Sequence, residues 1–304
     1  MPEAEQAGHW VSAHVHTGHS LDLVLGTLVP PVLAELRQRG LVDRFFFLRH
    51  WQGGPHLRLR VRLTAPAAEP EVRTALSAHA GALFRDLPPS QAMSDRQYES
   101  LARELAAHEP ESEPGTLAPN DSLAFHDYRP EHGKYGHGGA LRAVEDAFAI
   151  CSELALAAVL ADWGPAQRTA HCFALLTGSL DASAPTGRPT PDVLVQYGSR
   201  RAALLTVARA ARATAAADPG ADPVSRWLAA CRSAQRQSAL PSRLAGHLTH
   251  LACNRLGVRL GQESTLRSLA LLAVRELTDS HPPRGAGSPG HRGDRTGHSG
   301  AGPP

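Results

Sequence analysis

"RFFFLRHWQGGPHLRLRVRL", residues Arg44–Leu63, decides the fold. An aromatic and aliphatic run, Arg44–Trp51, meets the turn residues "QGGP" and then a strict alternation. His56, Arg58, Arg60 and Arg62 fall on one parity; Leu57, Leu59, Val61 and Leu63 fall on the other. A strand points successive side chains to opposite faces. The stretch therefore reads as an antiparallel hairpin whose second strand turns its aliphatic face to the core. The opposite face carries one imidazole and three guanidiniums with no acid between them. Neighbours on one face stand roughly 6–7 Å apart, a spacing at which like charges repel. Two readings fit: a solvated outer face, or a site for an anion, because guanidinium is a fixed-charge fork matched to carboxylate or phosphate.

Working outward, "HWVSAHVH" (His9–His16) also alternates and reads as a strand, as does "SLAFHDY" (Ser122–Tyr128). Between the first two strands, Ser20–Gly40 has helical spacing, with Ser20 as N-cap, Gly40 as C-cap and a kink or break expected at Pro30–Pro31. Glu69–Leu87 and Ser94–His108 read as amphipathic helices, and the Pro-, Glu- and Ser-rich 109–120 as a loop. Beyond Tyr135 every periodic segment is helical: 140–162, 167–180, 191–217, 222–236, 242–256 and 263–277. Strands first and helices afterwards predict an α+β fold, a small antiparallel sheet followed by a helical bundle. Residues 1–8 and the Gly/Pro/His/Arg-rich 279–304 read as disordered ends around one domain over 9–278.

The chain has 304 residues with a formal net charge of +2, so no global charge demands nucleic acid. Lys134 is the only lysine; Arg is the default basic residue here, and its presence alone says little. Cys151, Cys172, Cys231 and Cys253 form no CxxC pair and sit in apolar helical contexts, which fits buried thiols and a cytoplasmic protein. The acidic N-terminus is no signal peptide, and no apolar run is long enough for a membrane span.

No nucleophile elbow, phosphate loop, zincin helix or dinucleotide fingerprint occurs. "HVHTGH" places His14 and His16 on one strand face with His19 beyond, but no supporting ligand pattern accompanies them, so no metal is expected. "GHGG" (136–139) precedes a helix and reads as a turn or an anion cradle. "YRPEHGKYG" (Tyr128–Gly136) gathers two tyrosines, a glutamate and the lysine. In "HLTHLACNR" (His247–Arg255), His250 and Asn254 share a helix face.

Three segments in this order resemble one family. "DRFFFLRHWQGGPHLRLRV" is similar to the aromatic-strand, turn and Pro-His-Leu-Arg-Leu-Arg run of the lantibiotic dehydratase C-terminal domain, also called the thiopeptide-type bacteriocin biosynthesis domain. "DYRPEHGKYGHGGALRAVEDAFAICSELAL" resembles its Tyr-x-Pro-Glu, Tyr-Gly-Gly and Glu-x-x-Phe run, and "HLACNRLG" its late His-x-x-x-Asn-Arg-Leu helix. The resemblance spans roughly Trp10 to Arg275.

It implies a stand-alone elimination subunit that expels glutamate from glutamylated Ser or Thr of a precursor peptide. A separate glutamylating dehydratase would supply the ester and bind the glutamyl-tRNA, so this chain binds no tRNA and no membrane. It also implies no metal and no organic cofactor. A diverged branch of the family instead joins two dehydroalanines by a formal [4+2] cycloaddition, forming a pyridine core and releasing the leader peptide. A third possibility is a non-catalytic subunit that only docks the precursor. Elimination is the favoured expectation, because "HLRLR" is intact.

By the motif, Arg58 and Arg60 stabilise the developing and departing charge, Arg62 is peripheral, and His250 is the acid/base. His56, Arg96, Arg103, Tyr128, Glu131, Lys134, Tyr135, Asn254 and Arg255 are the expected substrate-binding residues, with Arg96 or Arg103 as the third arginine. The sequence departs from the family pattern at Lys134, where Arg is usual, at His137, which interrupts the glycines, and at Ala252, where a second His is common.

Overall fold

A computed structural model describes residues 9–106, 115–182, 188–218, 220 and 222–280. The expected disorder of 1–8 and of 281–304, and part of the expected 109–120 loop, lie outside the described residues. The α+β expectation holds: a four-stranded antiparallel sheet is followed by a helical half. The strands are β1 (Trp10–His16), β2 (Val42–His50), β3 (His56–Leu63) and β4 (Ser122–His126), in spatial order β2-β3-β1-β4. The quoted stretch is the β2–β3 hairpin, and its turn takes positive φ at Gly53 (80°) and Gly54 (97°), where a side chain would be strained.

Register lays the site out in rungs. Leu48, Arg58, His14 and Ala124 face one another across the four strands, and His50, His56, His16 and Ser122 form the next rung. Phe46, Arg60, Ser12 and His126 form the rung on the other side. The intervening residues, among them Leu57, Leu59, Val61, Ala13 and Val15, are buried on the opposite face. Helices α1 (Leu21–Gln38) and α2 (Glu69–Asp86) pack there, with Arg37 of α1 over the Phe45 ring and Arg73 of α2 over Phe125.

Helix α1 is not broken at Pro30–Pro31, contrary to the sequence reading. Val24, Leu25, Leu28 and Val29 before the prolines and Val32, Leu33 and Leu36 around and beyond them are all buried. That continuous apolar stripe outweighs the intrahelical bonds the two rings remove. The Ser20 hydroxyl accepts from the Asp22 N–H at the start, and Gly40 takes φ +67° past the end, as expected.

Helix α3 (Asp95–Ala106) and the short α4 (His132–Tyr135) flank the sheet's polar face, and the bundle follows. It comprises α5 (Gly138–Leu160), α6 (Pro165–Ser179), α7 (Pro191–Ala216), α8 (Pro223–Arg236), α9 (Pro241–Arg255) and α10 (Leu260–Asp279). Helices α5 and α9 bring the bundle onto the outer edge of β2. All four cysteines are buried thiols. Among the described residues no helix is long and apolar enough to cross a membrane.

Candidate functional site

The site is built on the even-numbered face of β3 and its neighbours, and it divides into two chambers. In the first, Arg60 is half-buried with its Nε enclosed, and its guanidinium lies 4.9 Å from the Tyr128 ring centre and 5.4 Å from that of Phe46. Burial holds its pKa below the usual arginine value, and Arg255 nearby pushes the same way. Its Nε has no hydrogen-bond partner. Arg255, 1% exposed, lies 4.7 Å from the Phe148 ring centre, and its Nη2 is likewise without a partner. The two guanidiniums thus each keep one buried donor in reserve, a costly arrangement unless something accepts from it.

Tyr128 and Tyr135 complete this chamber. Burial pushes both phenols up, Tyr135 to about 12 and Tyr128 further, so both remain O–H donors at working pH. Tyr128 lies against the Glu145 carboxyl, itself pushed up by burial. Tyr135 stands edge-on to Phe148 and to His247. Glu131 and Lys134 form an exposed ion pair (2.5 Å) at the rim.

The second chamber is a histidine patch around Arg58. The ring of His14 stands 5.0 Å from that of His56 and 4.2 Å from that of His126; His16 stands 4.3 Å and His50 5.3 Å from His56. Burial, reinforced by Arg58 and neighbouring imidazoles, holds His14 and His50 at about 2; burial holds His56 at about 3. These rings are neutral. Arg58 donates from Nε to His56 Nε2 (3.1 Å) and from Nη2 to Gln52 Oε1 (3.3 Å). Beside this patch a cavity of about 430 Å³ opens between the end of β1, the hairpin turn and the start of α3, lined by His16, Gly53, Gly54, Met93, Leu117 and Asn120.

Arg58, Arg60, His56, Tyr128, Tyr135 and Arg255 therefore share one side of the sheet, but Arg58 and Arg60 keep different company. His250 does not join them: its Nδ1 bonds the buried Glu263 carboxylate at 2.8 Å, and Arg267 grips the same carboxylate. The imidazole that stands against Tyr135 is His247, one turn earlier on α9. Arg96 and Arg103 are exposed on α3, and Arg103 donates to its own helix at Glu99 O. The arginine that joins Arg60 in the first chamber is Arg255 instead. Arg62 is engaged by Asp43, Nε to Oδ1 at 2.8 Å, which fits its peripheral reading.

Asn254 and Arg255 also do something the sequence did not announce. β2 is an edge strand, and its outward backbone groups need partners. Asn254 accepts from the Arg49 N–H (3.0 Å) and donates to the Arg49 carbonyl (2.9 Å). Arg255 Nε donates to the Phe47 carbonyl (2.9 Å), and Ser152 Oγ accepts from the Phe47 N–H (3.1 Å). Residues missed by sequence reasoning are His50, His126, Glu145 and His247. His126 shares the even parity of Ser122 and Ala124, a usable signal; the others depend on long-range packing.

The comparisons with known proteins agree with this architecture. The model of the family described as "Lantibiotic biosynthesis dehydratase C-term" matches residues 10–274. No curated protein matches the sequence. Among solved structures, the chain is similar to the pyridine synthase TbtD from thiomuracin biosynthesis, with TM-score 0.69 and 21% identity over 89% of this chain and 99% of that one. It is also similar to the tRNA-dependent lantibiotic dehydratase MibB from Microbispora sp. 107891 (TM-score 0.58, 20% identity), covering 93% of this chain but 29% of that one. A third similar structure is TsrL, with TM-score 0.57 and 19% identity over 90% of this chain and 96% of that one. At these identities the likeness is one of fold. With the family match running from β1 into α10, the chain belongs to the lantibiotic biosynthesis dehydratase C-terminal family.

Proposed function

We propose that this chain closes two dehydroalanines of a modified precursor peptide into a six-membered ring, the formal [4+2] cycloaddition that leads to a pyridine core and frees the leader peptide. One observation carries the reading: Arg60 Nε and Arg255 Nη2 lie buried and unpartnered beside two phenols held in their protonated form. The reacting amide becomes the iminol part of the diene by losing its N–H proton while its carbonyl oxygen takes one up. Tyr128 or Tyr135 supplies the hydrogen bond, and the guanidiniums stabilise charge building on that oxygen. Two new carbon–carbon bonds close the ring, and loss of water and then of the leader as its amide makes it aromatic without an outside oxidant, so the sequence asks for no redox cofactor. One neighbour that shares nearly its whole length with this chain is a pyridine synthase, which supports the same choice.

This departs from the elimination favoured on sequence grounds. Elimination needs a base strong enough to take a Cα proton. The imidazoles His14 and His56 beside Arg58 are too weakly basic for that. Elimination stands as the second reading because Arg58 and Arg60 lie two residues apart on one face, where a dicarboxylate leaving group could span both. On either reading the unit over 9–278 acts in the cytoplasm, after a separate glutamylating dehydratase that binds the glutamyl-tRNA.

Two synthetic substrates separate the readings. One is a peptide bearing glutamyl-Ser; the other is a thiazole-containing peptide bearing two dehydroalanines behind a leader. Leader release from the second with no glutamate from the first is the expected outcome, read by mass spectrometry. Glutamate release from the first, lost in Arg58→Ala, would make elimination correct. Tight binding of both without conversion would make the chain a docking subunit.

A further inference from the structure

We propose that His14, His16 and His56 form a site for one divalent first-row transition ion of the zinc class, bound through imidazole nitrogens. One ring nitrogen from each lies within 4.8 Å of the others, and the three residues are 9%, 6% and 0% exposed. The strands explain the convergence. His14 and His16 share a face of β1 two residues apart, and His56 is the residue opposite His16 on β3.

A second observation points to a missing partner. His16 Nδ1 is buried and has no hydrogen bond, although buried ring nitrogens are almost always satisfied. His56 is arranged as a metal-binding imidazole is: its Nδ1 faces the Gly54 carbonyl at 2.8 Å, which leaves the lone pair on Nε2. All three rings are held neutral, the form that ligates. The donors are nitrogen only, which suits zinc, nickel or copper and not magnesium or calcium. Three imidazoles leave a coordination position open, and His16 is shared with the 430 Å³ cavity.

Arg58 is the opposing element. Its Nε already donates to His56 Nε2, so ion and guanidinium compete for one lone pair. This gives the site a distinctive sign: removing Arg58 should tighten binding, where loss of a positive side chain from an unrelated surface would not. The proposal does not depend on which reaction the first chamber performs.

The test uses the full chain, stripped with a chelator and titrated with Zn²⁺ against a chromophoric competitor. One equivalent should bind, at least tenfold more weakly in His14→Gln and in His16→Gln, more tightly in Arg58→Met, and unchanged when His281, His291 and His298 are together replaced by Ala. In the unmodified protein, Zn²⁺ should shift the ring ¹⁵N resonances of His14, His16 and His56, a readout that needs no variant to fold. Shifts confined to the exposed His132–His137 pair or to the C-terminal histidines, or binding indifferent to His14 and His16, would overturn the site.

Discussion

At the scale of the residue, Arg60 and Arg62 make the sharpest contrast. They sit two positions apart on the same face of β3, yet Arg62 is answered by Asp43 while Arg60 lies between aromatic rings with Nε unpartnered. A buried charge without a counter-ion costs folding energy and gains only when something with negative character arrives. Arg60→Gln should therefore lower turnover by about 100-fold or more, the cost of losing one preorganised oxyanion donor, while the melting temperature holds or rises. Single-turnover assays beside thermal unfolding read both halves, and a parallel fall in stability and rate would reduce Arg60 to a packing residue. Arg62→Gln removes an ion pair at the edge of the site, worth about 0–1 kcal/mol at a surface, and should leave turnover within about twofold. Tyr128→Phe should behave like Arg60→Gln in turnover, and also release the Glu145 carboxyl from its phenol neighbour.

At the scale of the element, β2 is held from outside by side chains. Asn254→Ala strips the Arg49 N–H and carbonyl of their partners at once. Two unmet, partly buried backbone groups predict a loss of roughly 2–4 kcal/mol, measurable as a lower urea midpoint; an unchanged midpoint would mean that water replaces the amide at no cost. The elements themselves were largely legible. Period-two runs located β1, β3 and β4, the aromatic run Arg44–Trp51 located β2, and helical spacing located the bundle, because a side chain's burial on its own element repeats locally. What was not legible is whatever depends on partners far along the chain. "CNRLG" gives no local hint that its Asn mimics a neighbouring strand, or that its Arg lies beside Arg60. His250 stood out in the motif, but Glu263 on the next helix decides where its ring turns. The His14–His16 pair was visible as a strand face, while the third imidazole came from strand order, which no local pattern encodes. Pro30–Pro31 misled in the opposite direction, since tertiary burial overrode a strong local signal.

At the scale of the whole molecule, Asp22 joins the two halves. Its carboxylate is gripped by Arg49 of β2 and, at 2.8 Å, by Arg168 of α6; Arg49 Nε in turn donates to the Arg255 carbonyl at the end of α9. Gly257, at φ +76°, passes so close that a Cβ there would stand 3.4 Å from the Arg168 guanidinium. Burial alone would raise the Asp22 pKa, but the two arginines outweigh it and hold the carboxyl below its usual value. A depressed carboxylate stabilises the fold fully above its unfolded pKa of about 3.9 and loses that contribution as pH falls through the lower folded value. Asp22→Asn should therefore lower the melting temperature at neutral pH, with the gap to the unmodified protein closing as pH falls through the lowered folded value. A gap that persists in acid would assign the effect to packing. The same arrangement sets an order of assembly. Residues 205 to 208 positions apart close the β2 edge and place Arg255 near Arg60, and such distant pairings form late. As the chain leaves the ribosome, strands, turn and arginine ladder are all made long before α9 exists. The first chamber is therefore completed only after nearly the entire polypeptide has emerged, so a stalled or clipped product carries the visible motif without the chemistry.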